Sequence, residues 1–219
     1  MKSDFLRDLK NIFYNPLLIR ESFKFKVPYY LIYVGLSILI TLIIDLVLIF
    51  VLKSAKVQIN FRIKHSDILS IVVIAPLIEE FCFRAVLKKN FKNLFLFLIG
   101  ILGFVLQYLS TKPIYIAACV LLLVAIVVIL FNTKSRIFYL NPYKKKHLLI
   151  LVYFSSFSFA LAHLIGVNCL STSFILLGVY IFPKILVGFL LAMFRIKFGL
   201  LYSIIFHAFI NLIIYFITI

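Results

Sequence analysis

The chain reads as long apolar stretches separated by short, basic, polar segments. A helix needs about 20 consecutive apolar residues to cross the hydrocarbon core of a bilayer. Five stretches come close to or exceed that length with little interruption: Pro28–Leu52, Leu94–Ser110, Pro113–Phe131, Leu148–Val167 and Phe198–Ile219. Two more carry polar residues inside them: Ser66–Leu87, with Asp67, Glu79, Glu80 and Arg84, and Leu170–Phe194, with Lys184 after Pro183. The pattern predicts an all-α fold, a polytopic membrane helical bundle of about seven transmembrane helices.

Residues 1–26 follow a different pattern. Phe5, Leu9, Ile12 and Phe13 recur at helical spacing, Lys2, Arg7, Asp8 and Lys10 fall largely elsewhere, and Asn15-Pro16 ends the run. This predicts a basic amphipathic helix lying on an anionic membrane surface. The expected organisation is an N-terminal segment 1–26 and a membrane domain 27–219, with its chemistry-bearing core at about 66–219. The first apolar stretch follows a charged segment too long for a signal peptide's basic end and has no small-residue cleavage site. It therefore reads as a retained transmembrane helix.

Composition agrees with this pattern. The 219 residues are 65% hydrophobic and 14% charged, with a mean hydropathy of +1.19. Soluble domains carry about a quarter charged residues, so the polar surface is too small to cover a water-soluble monomer. The net charge of +16 would suit nucleic acid only if basic and aromatic residues were interleaved on a wet face. Here the bases sit between apolar runs, so the expected partners are membrane lipids and not nucleic acid. A cytoplasmic N-terminus places the N-terminal cluster, Lys88, Lys89, Lys92, Lys134, Arg136, Lys144, Lys145, Lys146, Arg195 and Lys197 inside. It leaves Lys53, Lys56, Arg62, Lys64 and Lys112 outside, so the positive-inside rule favours N-in, C-out. Cys82, Cys119 and Cys169 have no spacing that suggests a disulfide framework or a zinc site.

The polar residues placed at membrane depth are where chemistry is expected, because an ionisable group there costs several kcal/mol. Only seven residues are acidic, and two of them, Glu79 and Glu80, are adjacent inside one apolar stretch. Glu80 and Arg84 are four apart and can pair on a helix. Glu79 projects about 100° away from Glu80, towards a different neighbour. His163 and His207 lie in two further stretches, and Asn211 is one turn beyond His207 on the same face. Taken singly, each histidine is an ordinary interhelical hydrogen-bond partner. Taken together, these groups predict one shared polar cavity within the bundle.

Several chemistries are excluded by motif. No His-Glu-x-x-His, no intramembrane aspartate pair and no Gly-x-Ser-x-Gly occurs. Ser203 precedes His207 by one turn, so a Ser–His pair is geometrically allowed. Cys82 lies one turn from a carboxylate, the opposite of the electropositive setting that a cysteine nucleophile uses.

At these residues the sequence resembles the CPBP family, the type II CAAX prenyl proteases and their bacterial Abi relatives. That family's pattern is Glu-Glu-x-x-x-Arg, Phe-x-x-x-His and His-x-x-x-Asn/Asp, each in a different helix. It corresponds here to Glu79-Glu80 through Arg84, Phe159 to His163, and His207 to Asn211, in the same order and over roughly Ile68 to Leu212. Gly188, Gly199-Leu200 and Ser203 ahead of the third motif are also similar. The resemblance implies an intramembrane endopeptidase that cuts a hydrophobic or lipidated peptide or protein near its C-terminus. It implies that Glu79 and His163 hold and deprotonate the attacking water, and that His207 and Asn211 stabilise the oxyanion. Glu80, Arg84 and Phe159 would support them. The family has been described both as glutamate-dependent and as metal-dependent. The reading favours no cofactor, with zinc held by Glu79, His163 and His207 as the alternative. The expected location is a bacterial plasma membrane, multi-pass, with the N-terminus cytoplasmic. Two other functions fit the same residues: a non-catalytic bacteriocin-immunity or scaffold protein, and a transporter using Glu79 and Glu80 as proton carriers.

Overall fold

The computed structural model describes residues 2–19, 27–54, 68–88, 90–109, 144–164 and 174–218. Among these the fold is all-helical: α1 Lys2–Tyr14, α2 Val27–Ser54, α3 Ala75–Arg84, α4 Phe91–Leu109, α5 Lys145–Ala162, α6 Phe174–Lys197 and α7 Leu200–Thr218. The apolar stretch Pro113–Phe131, the Lys53–Lys64 segment, Cys119 and Cys169 lie outside the described residues. Among the described residues one segment, Leu177–Lys197 within α6, is long and apolar enough to cross a membrane. Shorter apolar helical segments are Tyr30–Thr41, Lys92–Leu106 and Leu200–Phe216.

α6 is the central helix. It packs on α2, α5 and α7, while α3 lies against α4, α5 and α7. Leu191, Met193, Phe194, Phe159, Val152 and Phe206 are fully buried between these helices, and the rings of Phe194 and Phe206 stack with centroids 4.1 Å apart. Two glycines permit close helix crossings. A Cβ on Gly100 of α4 would sit 2.5 Å from the carbonyl carbon of Phe81, so α4 meets α3 backbone to backbone directly behind the two glutamates. A Cβ on Gly188 of α6 would lie 3.0 Å from the Ser156 backbone of α5. Gly199, at φ +104°, occupies the left-handed conformation that lets the chain turn from α6 into α7 within two residues.

The N-terminal helix differs from the sequence expectation. Phe5 and Ile12 are buried in the same core as Tyr33 and Phe194, so protein covers the apolar face that the periodicity assigns to lipid. Asp8, grouped by spacing with the solvent-facing charges, is 1% exposed. It accepts a hydrogen bond of 2.5 Å from the Tyr33 hydroxyl and pairs with Lys197 at the end of α6. Lys197 also lies 4.8 Å from the centre of the Tyr33 ring. Lys197 and Arg195, counted from sequence as loop cations, are both buried. The physical reason is pairing: a carboxylate one helix away and free helix-end carbonyls compensate charges that a hydropathy pattern treats as wet.

Candidate active site

The helix carrying the glutamates starts irregularly. Residues Ser70–Ile74 form a π turn, and the N–H of Ala75 bonds to the carbonyl of Ser70, five residues back. Ala75 would serve the Ile71 carbonyl in an α-helix, and residue 76 would serve it in a continued π register. Residue 76 is Pro76, which has no N–H. The Ile71 carbonyl is therefore stripped of its backbone donor in either register. Asn211 Nδ2 of α7 donates to it at 3.0 Å.

Two turns further on, Glu79 and Glu80 are 7% and 0% exposed. Arg84 is fully buried, with Nε 3.8 Å from Glu80 Oε1, Nη2 3.4 Å from the Gly188 carbonyl, and its guanidinium 4.2 Å from the centre of the Phe159 ring. The Glu80–Arg84 spacing seen in sequence thus forms a buried pair, backed by an aromatic face.

Glu79 and Glu80 do not turn to different neighbours, as their separation around the helix suggests. Both address His207: Glu80 Oε1 lies 3.2 Å from Nδ1 and Glu79 Oε2 lies 3.6 Å from Nε2. The imidazole is wide enough to span the angular gap, so one ring receives both carboxylates on opposite edges. The Ser203 hydroxyl donates to Glu80 Oε2 at 2.5 Å and lies 3.0 Å from the Leu191 carbonyl. Ser203 is therefore engaged with Glu80, and the Ser203–His207 pair permitted by spacing is not the arrangement formed. Ser203, His207 and Asn211 recur every four residues, one polar stripe of α7 running antiparallel to α3.

His163 sits at the end of its helix and not deep within it. α5 begins at Lys145 and closes at Ala162, with His163 as the terminal residue. Its Nδ1 is 2.9 Å from the Phe159 carbonyl, which can only accept, so Nδ1 carries the proton and Nε2 holds the lone pair in the neutral ring. Phe159 stands edge-on to both imidazoles, with ring centroids 4.7 Å from His163 and 5.5 Å from His207. The three motifs thus converge on one locus.

Two contributors escape the sequence motifs. The end of α3 leaves carbonyls without intrahelical donors, and neighbouring side chains supply them. Ser155 of α5 donates to Phe83 O at 2.6 Å, and Arg195 of α6 donates to Arg84 O at 3.2 Å and Ala85 O at 3.4 Å. The Ser155-Ser156 doublet in an apolar run was the available signal for the first. For Arg195 there was none, because a cation at a helix end reads equally well as exposed.

Among the described residues, no three His, Cys, Asp or Glu side chains come together as a metal-binding set. His207 Nδ1 is within hydrogen-bond distance of Glu80 Oε1 at 3.2 Å, while its Nε2 stands 3.6 Å from Glu79 Oε2, beyond a direct hydrogen bond. What the arrangement offers is a buried carboxylate and two imidazoles. No family model, curated protein or solved structure matches the chain.

Proposed function

We propose that the protein is an intramembrane endopeptidase of CAAX-protease type, cleaving a hydrophobic or lipidated peptide or protein near its C-terminus. The observation that carries this reading is the pair of adjacent buried carboxylates set on opposite nitrogens of one imidazole. Such a cluster is costly in an apolar bundle, and its geometry suits water activation.

In this mechanism Glu79 takes a proton from a water that also hydrogen-bonds to the lone pair on His163 Nε2. The water oxygen attacks the scissile carbonyl carbon and the carbonyl electrons move onto oxygen. His207, oriented by Glu80 and facing Glu79, meets that oxyanion as its charge develops. The intermediate collapses with cleavage of the C–N bond, and the proton held by Glu79 passes to the departing amine. Ser203 and Arg84 hold Glu80, and Phe159 packs against both imidazoles. Carboxylate and imidazoles perform every step, without an acyl-enzyme.

The same reading puts the chain in a bacterial plasma membrane as a multi-pass bundle with a cytoplasmic N-terminus. Large apolar side chains exposed on several helices support it, among them Leu31, Leu39, Leu69, Phe95, Phe154, Phe182, Leu201 and Phe216. So wide an apolar exterior is costly in water and natural against lipid. The test is a library of C-terminal peptides, lipidated and unmodified, incubated with the purified protein in liposomes and analysed by mass spectrometry. Hydrolysis at one bond near the C-terminus is expected. Intact peptides throughout, with the protein still protecting cells from a bacteriocin, would replace the enzyme by an immunity protein of the same fold.

A further inference from the structure

The geometry points to a positioning role for Asn211: its amide anchors the π turn that aims the glutamate helix. Ala75 gives its N–H to Ser70, Pro76 has none to give, and the Ile71 carbonyl is left without a donor within its own helix. A half-buried carbonyl without a protein donor loses a hydrogen bond that water only partly replaces, and Asn211 Nδ2 supplies one at 3.0 Å from α7. The carbonyl accepts and the amide donates, so the orientation of the Asn211 side chain is fixed by this bond.

The consequence lies one helical turn away on α7 and two turns away on the α3 side. Asn211 follows His207 by four residues on α7, and Ile71 precedes Glu79 by two turns on the α3 side. The two antiparallel helices are therefore clamped at three levels: Ser203 to Glu80, His207 to both glutamates, and Asn211 to Ile71. The lowest clamp fixes where the π turn ends and the regular helix begins. That sets the rotation of Glu79 about the α3 axis and hence the Glu79–His207 approach. The catalytic part of this inference rests on the hydrolytic reading above; the anchoring part stands on the backbone geometry alone.

Pro76→Ala makes the idea testable, because it restores the missing donor. In a π register the new N–H reaches Ile71 directly. In an α register it reaches Val72, which returns the Ala75 N–H to Ile71. Either way Ile71 gains a backbone partner and the Asn211 amide becomes dispensable. The experiment is a double-mutant cycle of Asn211→Leu and Pro76→Ala on the full chain in liposomes, read by unfolding equilibrium and by kcat and KM on a cleaved peptide. With Pro76 present, Asn211→Leu is expected to shift the folded-to-unfolded ratio by roughly tenfold to a hundredfold and to lower kcat with KM little changed. In the Pro76→Ala background most of both losses should disappear.

Equal losses of kcat in both backgrounds would overturn the proposal and return Asn211 to direct oxyanion contact, since no backbone donor at residue 76 can replace that. If Asn211→Leu does not fold, Asn211→Ser with amide hydrogen exchange takes its place. Faster exchange confined to residues 74–79 supports the anchor, and unchanged exchange there overturns it. If the wild type cleaves nothing, the hydrolytic reading falls while the stability coupling still decides the anchor.

Discussion

Asp8→Ala is expected to loosen the N-terminal helix at a cost far above that of a surface ion pair. Asp8 is 1% exposed and Lys197 7% exposed, and the carboxylate also accepts the Tyr33 hydroxyl at 2.5 Å. Removing it strips a buried ammonium of its counter-charge and a buried hydroxyl of its acceptor. Breaking a buried pair from one side costs about 3–5 kcal/mol, against about 0.2–1 kcal/mol for an exposed pair. At about 1.4 kcal/mol per factor of ten, the lower figure already lowers the folded-to-unfolded ratio more than a hundredfold. Asp8→Asn keeps the shape and an acceptor for Tyr33 while removing the charge, so it separates the ionic part from packing. Replacing both partners, Asp8→Leu with Lys197→Met, should recover most of the loss, because an apolar pair of similar volume needs no compensation. The assay is reversible unfolding in mixed micelles followed by far-UV circular dichroism. A loss below about 0.5 kcal/mol for Asp8→Ala would refute the reasoning, since changes of that size are ordinary for exposed positions.

Other substitutions test the site's supports. Gly100→Ala puts a Cβ 2.5 Å from the Phe81 carbonyl carbon, so α3 must move; a loss of about 1–3 kcal/mol in unfolding is expected, with a fall in cleavage rate. Ser203→Ala removes a donor to the buried Glu80 carboxylate and should cost about 1.5–3 kcal/mol, with kcat reduced more than KM is raised. Arg195→Met leaves the Arg84 and Ala85 carbonyls without their side-chain donors; about 1–3 kcal/mol is expected for the loss, seen as lowered thermal stability.

The all-helical fold was legible because apolar runs of this length admit little else, and α4 and α7 coincide with their stretches to within a few residues. The cluster of polar side chains was legible as a set, since Glu79, Glu80, Arg84, His163 and His207 are expensive in an apolar chain and therefore conspicuous. Their pairing was not. That both glutamates meet one imidazole depends on the rotation of α3, and the rotation depends on a π turn that no hydrophobic period reveals. Asn211 was placed beside His207 correctly by spacing, but its partner is a carbonyl whose vacancy comes from Pro76 and the turn together. Asp8 and Lys197 were misread for a similar reason: their compensation is tertiary, 189 residues apart in sequence, and invisible to a local pattern.

The central claim is that Glu79 activates water for peptide hydrolysis, and the rate of peptide cleavage by Glu79→Gln tests it most directly. Wild type and variant, reconstituted side by side and matched for folded protein, would be assayed with and without a chelator. The account predicts at least a hundredfold loss in the variant, about the lower bound for removing a general base, and no effect of the chelator on the wild type. Wild-type cleavage by Glu79→Gln would contradict it.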